Sequence, residues 1–391
     1  MKKTKKALFY GLTTLLVLVA VLYFTLSPVF AQKLKSFKGQ EKFSLEHKKI
    51  DSSKKTVFII ADNNGTELFD LMAPFYLFNA TEQANVFVVS EKKAPILLVN
   101  SLFILPHYTF FEIDSLEIIP DVIVIPNLSV HLKTPPKETT VNWIKKQVSE
   151  KMIVLSVCDG SATAAATGLY DGKPITTHAS DFKTLKKQFP KPHWVKDISV
   201  TESGNLYSTA GVSNAVEGSL TVIKRLFGEE RMQHVLHNIK YPHSDIQISH
   251  KSEIVGTGAI FTIVSKVIFK KNYKIGVQLE DKINEFELAS LLDTYTRTFP
   301  SSLNTFSLNG KKIISRYGLT MYPTGIKSDK VNELHLLNPG IHSDQKIFPN
   351  ARVIKYDSSI NKYPIDICLE RVSLLYGDNF KNSVKLTLDY N

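Results

Sequence analysis

A chain of 391 residues with 43% hydrophobic and 22% charged content is long enough for two cores and polar enough to be globular. The formal charge is +11, but the basic residues are scattered as pairs such as Lys145-Lys146 and Lys270-Lys271. With no basic stripe, zinc-finger spacing or recognition helix, nucleic acid is not an expected partner, and the surplus points to solubility or to attraction to an anionic membrane or wall surface. Only Cys158 and Cys368 are present, which excludes a disulfide framework.

Residues 1–6 form a basic tail with four lysines, and residues 7–26 then run twenty positions without a charge. Such a run makes a helix of about 30 Å, enough to span a bilayer. The lysines ahead of it place the amino terminus inside and the remainder outside. Small residues at 27–31 (SPVFA) would also suit a signal peptidase, so a cleaved signal peptide is the alternative to an anchor over residues 7–27. The length of the run favours the anchor. Either way, the folded part is expected outside the cytoplasm, after a polar, lysine-rich stalk over 28–54.

A first unit is expected over 55–245. Apolar runs at 56–60, 85–90 and 121–126 read as buried strands, with helical spacing over 66–79 and 139–150. A strand at 172–178, a basic helix at 181–189, a strand at 205–209 and a helix over 210–227 follow. This alternation predicts an α/β fold with a mainly parallel sheet flanked by helices. The stretch 246–271 reads as a connector; its apolar part, 254–269, is short for a membrane span and is expected to pack between units. From 272 to 391 the chain repeats its own opening. A strand at 273–279 and an amphipathic helix at 284–297 echo 56–60 and 67–79, with Glu287 near the place of Asp70. The echo stops before any equivalent of 151–166, so a partial second α/β copy without its own chemistry is expected.

The stretch 151–166, KMIVLSVCDGSATAAA, carries the chemistry. An apolar strand breaks at Cys158-Asp159-Gly160 and continues as a small-residue helix, the pattern of a nucleophile elbow with Cys in place of Ser. A sulfur at a helix start is expected to favour the thiolate. The plain alternative is a buried Cys in a β-α unit. His234 and His237 share a helix face, but without a third ligand they read as solvated, and no metal or cofactor is expected.

Four pieces in register then resemble the ThiJ/PfpI superfamily, a branch of the class I glutamine-amidotransferase-like, flavodoxin-like fold. They are Glu67-Leu68-Phe69-Asp70-Leu71 with Pro74, the elbow Cys158-Asp159-Gly160, Gly168–Lys173 leading into Thr176-Thr177-His178, and Ser208-Thr209-Ala210-Gly211-Val212. They cover roughly 55–228 and look closest to the amino-terminal domains of AraC-type regulators and to isocyanide hydratases. The resemblance implies Cys158 as nucleophile, Asp70 as an acid beside it and His178 as a cleft histidine. It implies backbone donors near Asp159, Gly160 and Gly211, a small-molecule substrate or ligand, and a homodimer. No AraC-type helix-turn-helix follows, so a DNA-binding regulator is not implied. The expected function is a membrane-anchored hydrolase or hydratase; a non-catalytic ligand-binding or redox-sensing module and a structural cell-surface protein are the alternatives.

Overall fold

The computed structural model describes residues 34–39, 43, 49–99, 101–128, 134–308, 310–326, 329–338, 348–357 and 360–391. The basic tail 1–6, the apolar stretch 7–27 and part of the stalk lie outside the described residues. Among the described residues no helix is long and apolar enough to cross a membrane.

The β-branched runs form strands buried on both faces, as a parallel sheet with two covering layers requires. The first unit holds β1 (Lys55–Ala61), β2 (Ala84–Ser90), β3 (Tyr108–Thr109), β4 (Val122–Ile125), β5 (Ile153–Ser156), β6 (Val200–Ser203) and β7 (Leu206–Thr209). Their order is β6-β7-β5-β4-β1-β2-β3, parallel throughout except for the β6–β7 hairpin. Alternate residues of β1 face opposite layers: Val57 and Ile59 join one core, Phe58 and Ile60 the other. The first layer includes α1 (Leu68–Ala80) and α3 (Ala215–Phe227), and the second includes α2 (Gly160–Ala166). The fold is the expected flavodoxin-like α/β arrangement. The carboxyl ends of β1, β4, β5 and β7 meet at one edge, where such sheets place their sites.

Two local expectations need correction. The strand expected over 172–178 shrinks to Pro174–Ile175, because Thr176 and Thr177 turn inward to hydrogen-bond Ser208 and Asp159. The helix expected from 210 starts at Ala215, after a 3₁₀ turn at Val212–Asn214. Beyond α3, Gly228 (φ 88°) turns the chain into α4 (Glu229–Asn238).

The connector forms α5 (Thr257–Phe269), which is not packed between the units as expected. Only Ile263, Lys266 and Val267 are buried. The second unit follows with β8 (Lys274–Leu279), α6 (Glu285–Thr296), β9 (Ser302–Ser307), β10 (Glu333–Leu336) and β11 (Arg352–Lys355). Its sheet runs β9-β8-β10-β11, all parallel, the same order as β2-β1-β4-β5. The repeat reaches further than the sequence pattern showed. Helix α7 (Pro364–Tyr376), Gly377 (φ 91°) and α8 (Asp378–Leu388) match α3, Gly228 and α4.

The units share one core. All of α1 is buried, and it packs on its counterpart α6 with Phe69 and Phe286 ring centroids 5.6 Å apart. The hairpin Ile96–Leu98/Leu102–Ile104 joins its counterpart Ile313–Ile314/Thr320–Pro323 in one antiparallel sheet.

Candidate functional site

At the end of β5 the chain reverses into α2 through Cys158, whose φ of 54° lies in the left-handed region. That conformation costs a side-chain-bearing residue about 1–3 kcal/mol and persists only where the surroundings enforce it. Here Val157 N–H donates to Ile125 O at 2.9 Å, and Cys158 N–H to Thr209 Oγ1 at 3.3 Å. Gly160 lies so close to β4 that a Cβ on it would fall 2.0 Å from Ile125 O. Strand, strained cysteine, glycine and helix together form a nucleophile elbow.

The sulfur sits among carboxyls. Asp70, in the first turn of α1, accepts from Asn127 N–H through Oδ2 at 3.1 Å, while its Oδ1 is buried with no hydrogen-bond partner among the described residues. Burial, more than any neighbouring charge, pushes its carboxyl up to about 8. Glu67 caps α1 by accepting from Asp70 N–H at 2.7 Å, and burial, with Asp293 and Asp70, raises it well above the usual range. Asp159 accepts from Thr177 Oγ1 at 2.8 Å and is raised by burial and then by Asp181. The Cys158 thiol, 3% exposed, is pushed well above its ordinary value by burial, then by Asp70, Asp159 and Glu67. The thiolate expected at the elbow is therefore outweighed: one short helix does not offset desolvation and three acidic neighbours.

The backbone donors divide. Gly160 N–H is held by Val157 O at 2.8 Å and Gly211 N–H by Asn214 Oδ1 at 3.2 Å. The amide of Asp159 donates toward the sulfur. His178 is buried: Ser180 N–H donates to its Nδ1 at 3.2 Å, and Nε2 lies 3.4 Å from Thr387 O. With Nδ1 accepting, a neutral ring carries its proton on Nε2. Burial lowers its pKa in the same direction.

Thr387 belongs to the second unit, whose contribution sequence reasoning missed. Arg297, just beyond α6, pairs with Asp293 at 3.2 Å, reaches Glu67 Oε1 at 3.5 Å and donates to Thr387 O at 2.7 Å. Its charge acts on Glu67, Asp70 and Cys158. Asp389, after α8, accepts from Ala179 N–H at 3.4 Å, and its carboxylate meets His250 Nε2 at 3.0 Å. Its carbonyl accepts from Ser213 Oγ at 2.9 Å. A Cβ on Gly211 would lie 2.1 Å from Asp389 Cβ. Residues 387–389 thus lie across both loops that flank the elbow. A glycine directly after β7 is the one local sign of that close approach.

The sequence profile of the DJ-1/PfpI family matches residues 54–225, a span that contains the elbow, Asp70, His178 and Gly211. The chain carries a DJ-1/PfpI family domain. Isonitrile hydratase from Pseudomonas putida is 29% identical over 172 residues, which cover 44% of this chain and 72% of the hydratase. A crystal structure of a ThiJ/PfpI family protein from Pseudomonas syringae is 19% identical with a TM-score of 0.43, covering 53% of this chain and 83% of that one. An AraC family transcriptional regulator from Pseudomonas putida is 16% identical with a TM-score of 0.40, covering 46% and 97%. Arg297, Thr387 and Asp389 lie beyond the matched span, so this DJ-1/PfpI domain has its elbow roofed by residues outside itself.

Proposed function

We propose that the DJ-1/PfpI domain is a cysteine-dependent hydratase or hydrolase acting on a small molecule with an electrophilic carbon. The observation that carries this reading is the pairing of a strained elbow cysteine with Asp70, whose buried Oδ1 has no partner among the described residues. A carboxyl titrating near 8 both accepts and returns a proton around neutral pH. The isonitrile hydratase relative names the substrate class to test first. In that reaction the sulfur of Cys158 bonds to the terminal carbon. The thiol proton passes through Asp70 to the same carbon, giving a thioimidate. Water then adds, the carbon–sulfur bond breaks, the thiol regains a proton, and an N-substituted formamide leaves.

The test is incubation of the full chain with an alkyl isonitrile while formamide is followed by proton NMR. Product is expected from the natural protein, none from Cys158→Ala, and a rate about 100-fold lower or less from Asp70→Asn. An unchanged rate in Cys158→Ala overturns the proposal. One observation favours a second reading, a ligand-holding or redox-sensing pocket without turnover: the sulfur is 3% exposed and held as a thiol. That reading predicts no product and a ligand-induced rise in Tm that survives Cys158→Ala.

We also propose that residues 7–27 anchor the chain with its folded part outside the cytoplasm, supported by twenty uncharged positions behind four lysines. Digestion of the folded part by protease added to intact cells is the expected result; protection contradicts it. The buried face of α1 is taken by α6, so a homodimer of this chain uses another surface.

A further inference from the structure

Helix α5, TGAIFTIVSKVIF, is turned inside out. Its single charged residue, Lys266, faces the protein, and its ammonium donates to Thr298 O at 2.6 Å, Phe299 O at 3.2 Å and Asn272 Oδ1 at 2.7 Å. Ile263 and Val267 pack inward beside it, but four large apolar residues face out: Phe261 is 73% and Phe269 79% exposed, and Ile260 and Ile268 are exposed too. Ile260, Phe261, Val264 and Ile268 recur at the spacing of one helical stripe. Lys270 and Lys271 follow, both exposed and, among the described residues, in no ion pair. A contiguous exposed apolar stripe on a folded surface marks something that covers it.

The position of this helix says what that is. Lys266 fixes α5 to Thr298 and Phe299, just before β9. Lys35 docks on the same edge, donating to Leu303 O at 2.6 Å. Only eight residues, 27–34, separate Leu26, the last of the twenty apolar-run positions, from Lys35. Extended chain covers at most about 3.6 Å per residue, so this linker spans about 30 Å at full stretch. A bilayer holding residues 7–26 therefore lies within that distance of the edge that carries α5.

We infer that α5 is a membrane-surface helix. Its Ile260–Phe261–Val264–Ile268 stripe and Phe269 enter the interface of the bilayer, and Lys270 and Lys271 pair with anionic headgroups. Helices with an apolar face and flanking lysines bind in this manner, and each lysine near the surface adds to the attraction. The inference is independent of any chemistry at Cys158.

The test uses the full chain reconstituted into phosphatidylcholine vesicles with and without phosphatidylglycerol. Nitroxide labels are placed at Phe261→Cys, Phe269→Cys and, as an aqueous control on the first unit, Phe111→Cys, which is 77% exposed. Each labelled variant also carries Cys158→Ala and Cys368→Ala, so that only the introduced cysteine takes the label. With phosphatidylglycerol, the labels at 261 and 269 are expected to gain accessibility to oxygen and lose accessibility to a water-soluble nickel complex. The label at 111 stays aqueous. Lys270→Glu with Lys271→Glu should abolish most of the gain. Labels at 261 and 269 as open to nickel as the control overturn the inference. So does shielding from both reagents, which signals protein cover by residues 7–26 or by a second copy.

Discussion

The fourth strands of the two units end differently. In the first, β5 leads into the elbow, α2 and the β6–β7 hairpin before α3 begins. In the second, β11 leads almost directly into α7, and strand register puts Asp357 where the first unit has Cys158. Cys368 is no substitute, because it lies buried inside α7, with its thiol pushed up by burial. What remains common is used reciprocally. Tyr76 of α1 packs on Phe286 of α6, with ring centroids 5.8 Å apart, and Asp293 of α6 acts on Glu67, the cap of α1. Lys240 (φ 55°) follows α4 and acts on Glu287, while Asp389 (φ 53°) follows α8 and lies over the elbow loops. A groove partly open to solvent, lined from both units by residues that include Tyr76 and Lys240, has Glu287 and Asp357 on its wall. Without the insert, the second unit keeps the sheet order and packing helices of the first and has an aspartate in place of the elbow cysteine. Such a unit serves to complete the other.

The comparison can be broken most severely at the contact between counterpart helices. Phe286→Ala removes a fully buried ring from the α1–α6 seam and is expected to cost about 3–5 kcal/mol, read by urea denaturation. A cost under about 1 kcal/mol would show that the units fold without each other. Gly211→Ala forces a methyl group into Asp389, with an expected cost of about 1–3 kcal/mol and faster alkylation of Cys158 as residues 387–389 are displaced. An unchanged alkylation rate would mean that this segment does not close the site.

The acidity of Asp70 sharpens the contrast further. Its folded pKa, about 8, stands above the ordinary 3.8, so the stability it confers is complete below the lower value and is lost as pH rises through the upper one. Between these values its share of the slope is about 1.4 kcal/mol per pH unit. Asp70→Asn should therefore flatten the fall of Tm between about pH 4 and pH 8, and an identical profile would refute the buried protonated acid. The smallest effect is expected at the counterpart of the nucleophile. Asp357→Asn should change stability by about 0.5 kcal/mol or less and leave Cys158 reactivity untouched.

Much of this was legible before the fold was known. Strands such as Val122–Ile125 are continuous apolar runs, and the elbow announces itself by a cysteine between a strand and a run of alanines. The second unit was legible where β8 and α6 repeat β1 and α1. It was overlooked where α7–Gly377–α8 repeats α3–Gly228–α4, although Leu226-Phe227-Gly228-Glu229 and Leu375-Tyr376-Gly377-Asp378 correspond in sequence. Arg297 and Asp389 read locally as charges at helix ends, and nothing nearby in sequence says that they meet Glu67 and Gly211. Likewise, the helix-start argument for a thiolate was sound locally and lost to burial by groups from three separate elements. Lys266 reversed α5 for a similar reason: its carbonyl partners lie about thirty residues away.

The central claim is that one unit holds the reactive centre and the other completes it. Mass spectrometry after exposure of the native full chain to a small isonitrile or another carbon electrophile tests it most directly. The account predicts one adduct, on Cys158, absent in Cys158→Ser and formed faster in Gly211→Ala, with Cys368 unmodified. Modification of Cys368 in preference to Cys158, or equal labelling in Cys158→Ser, would contradict it.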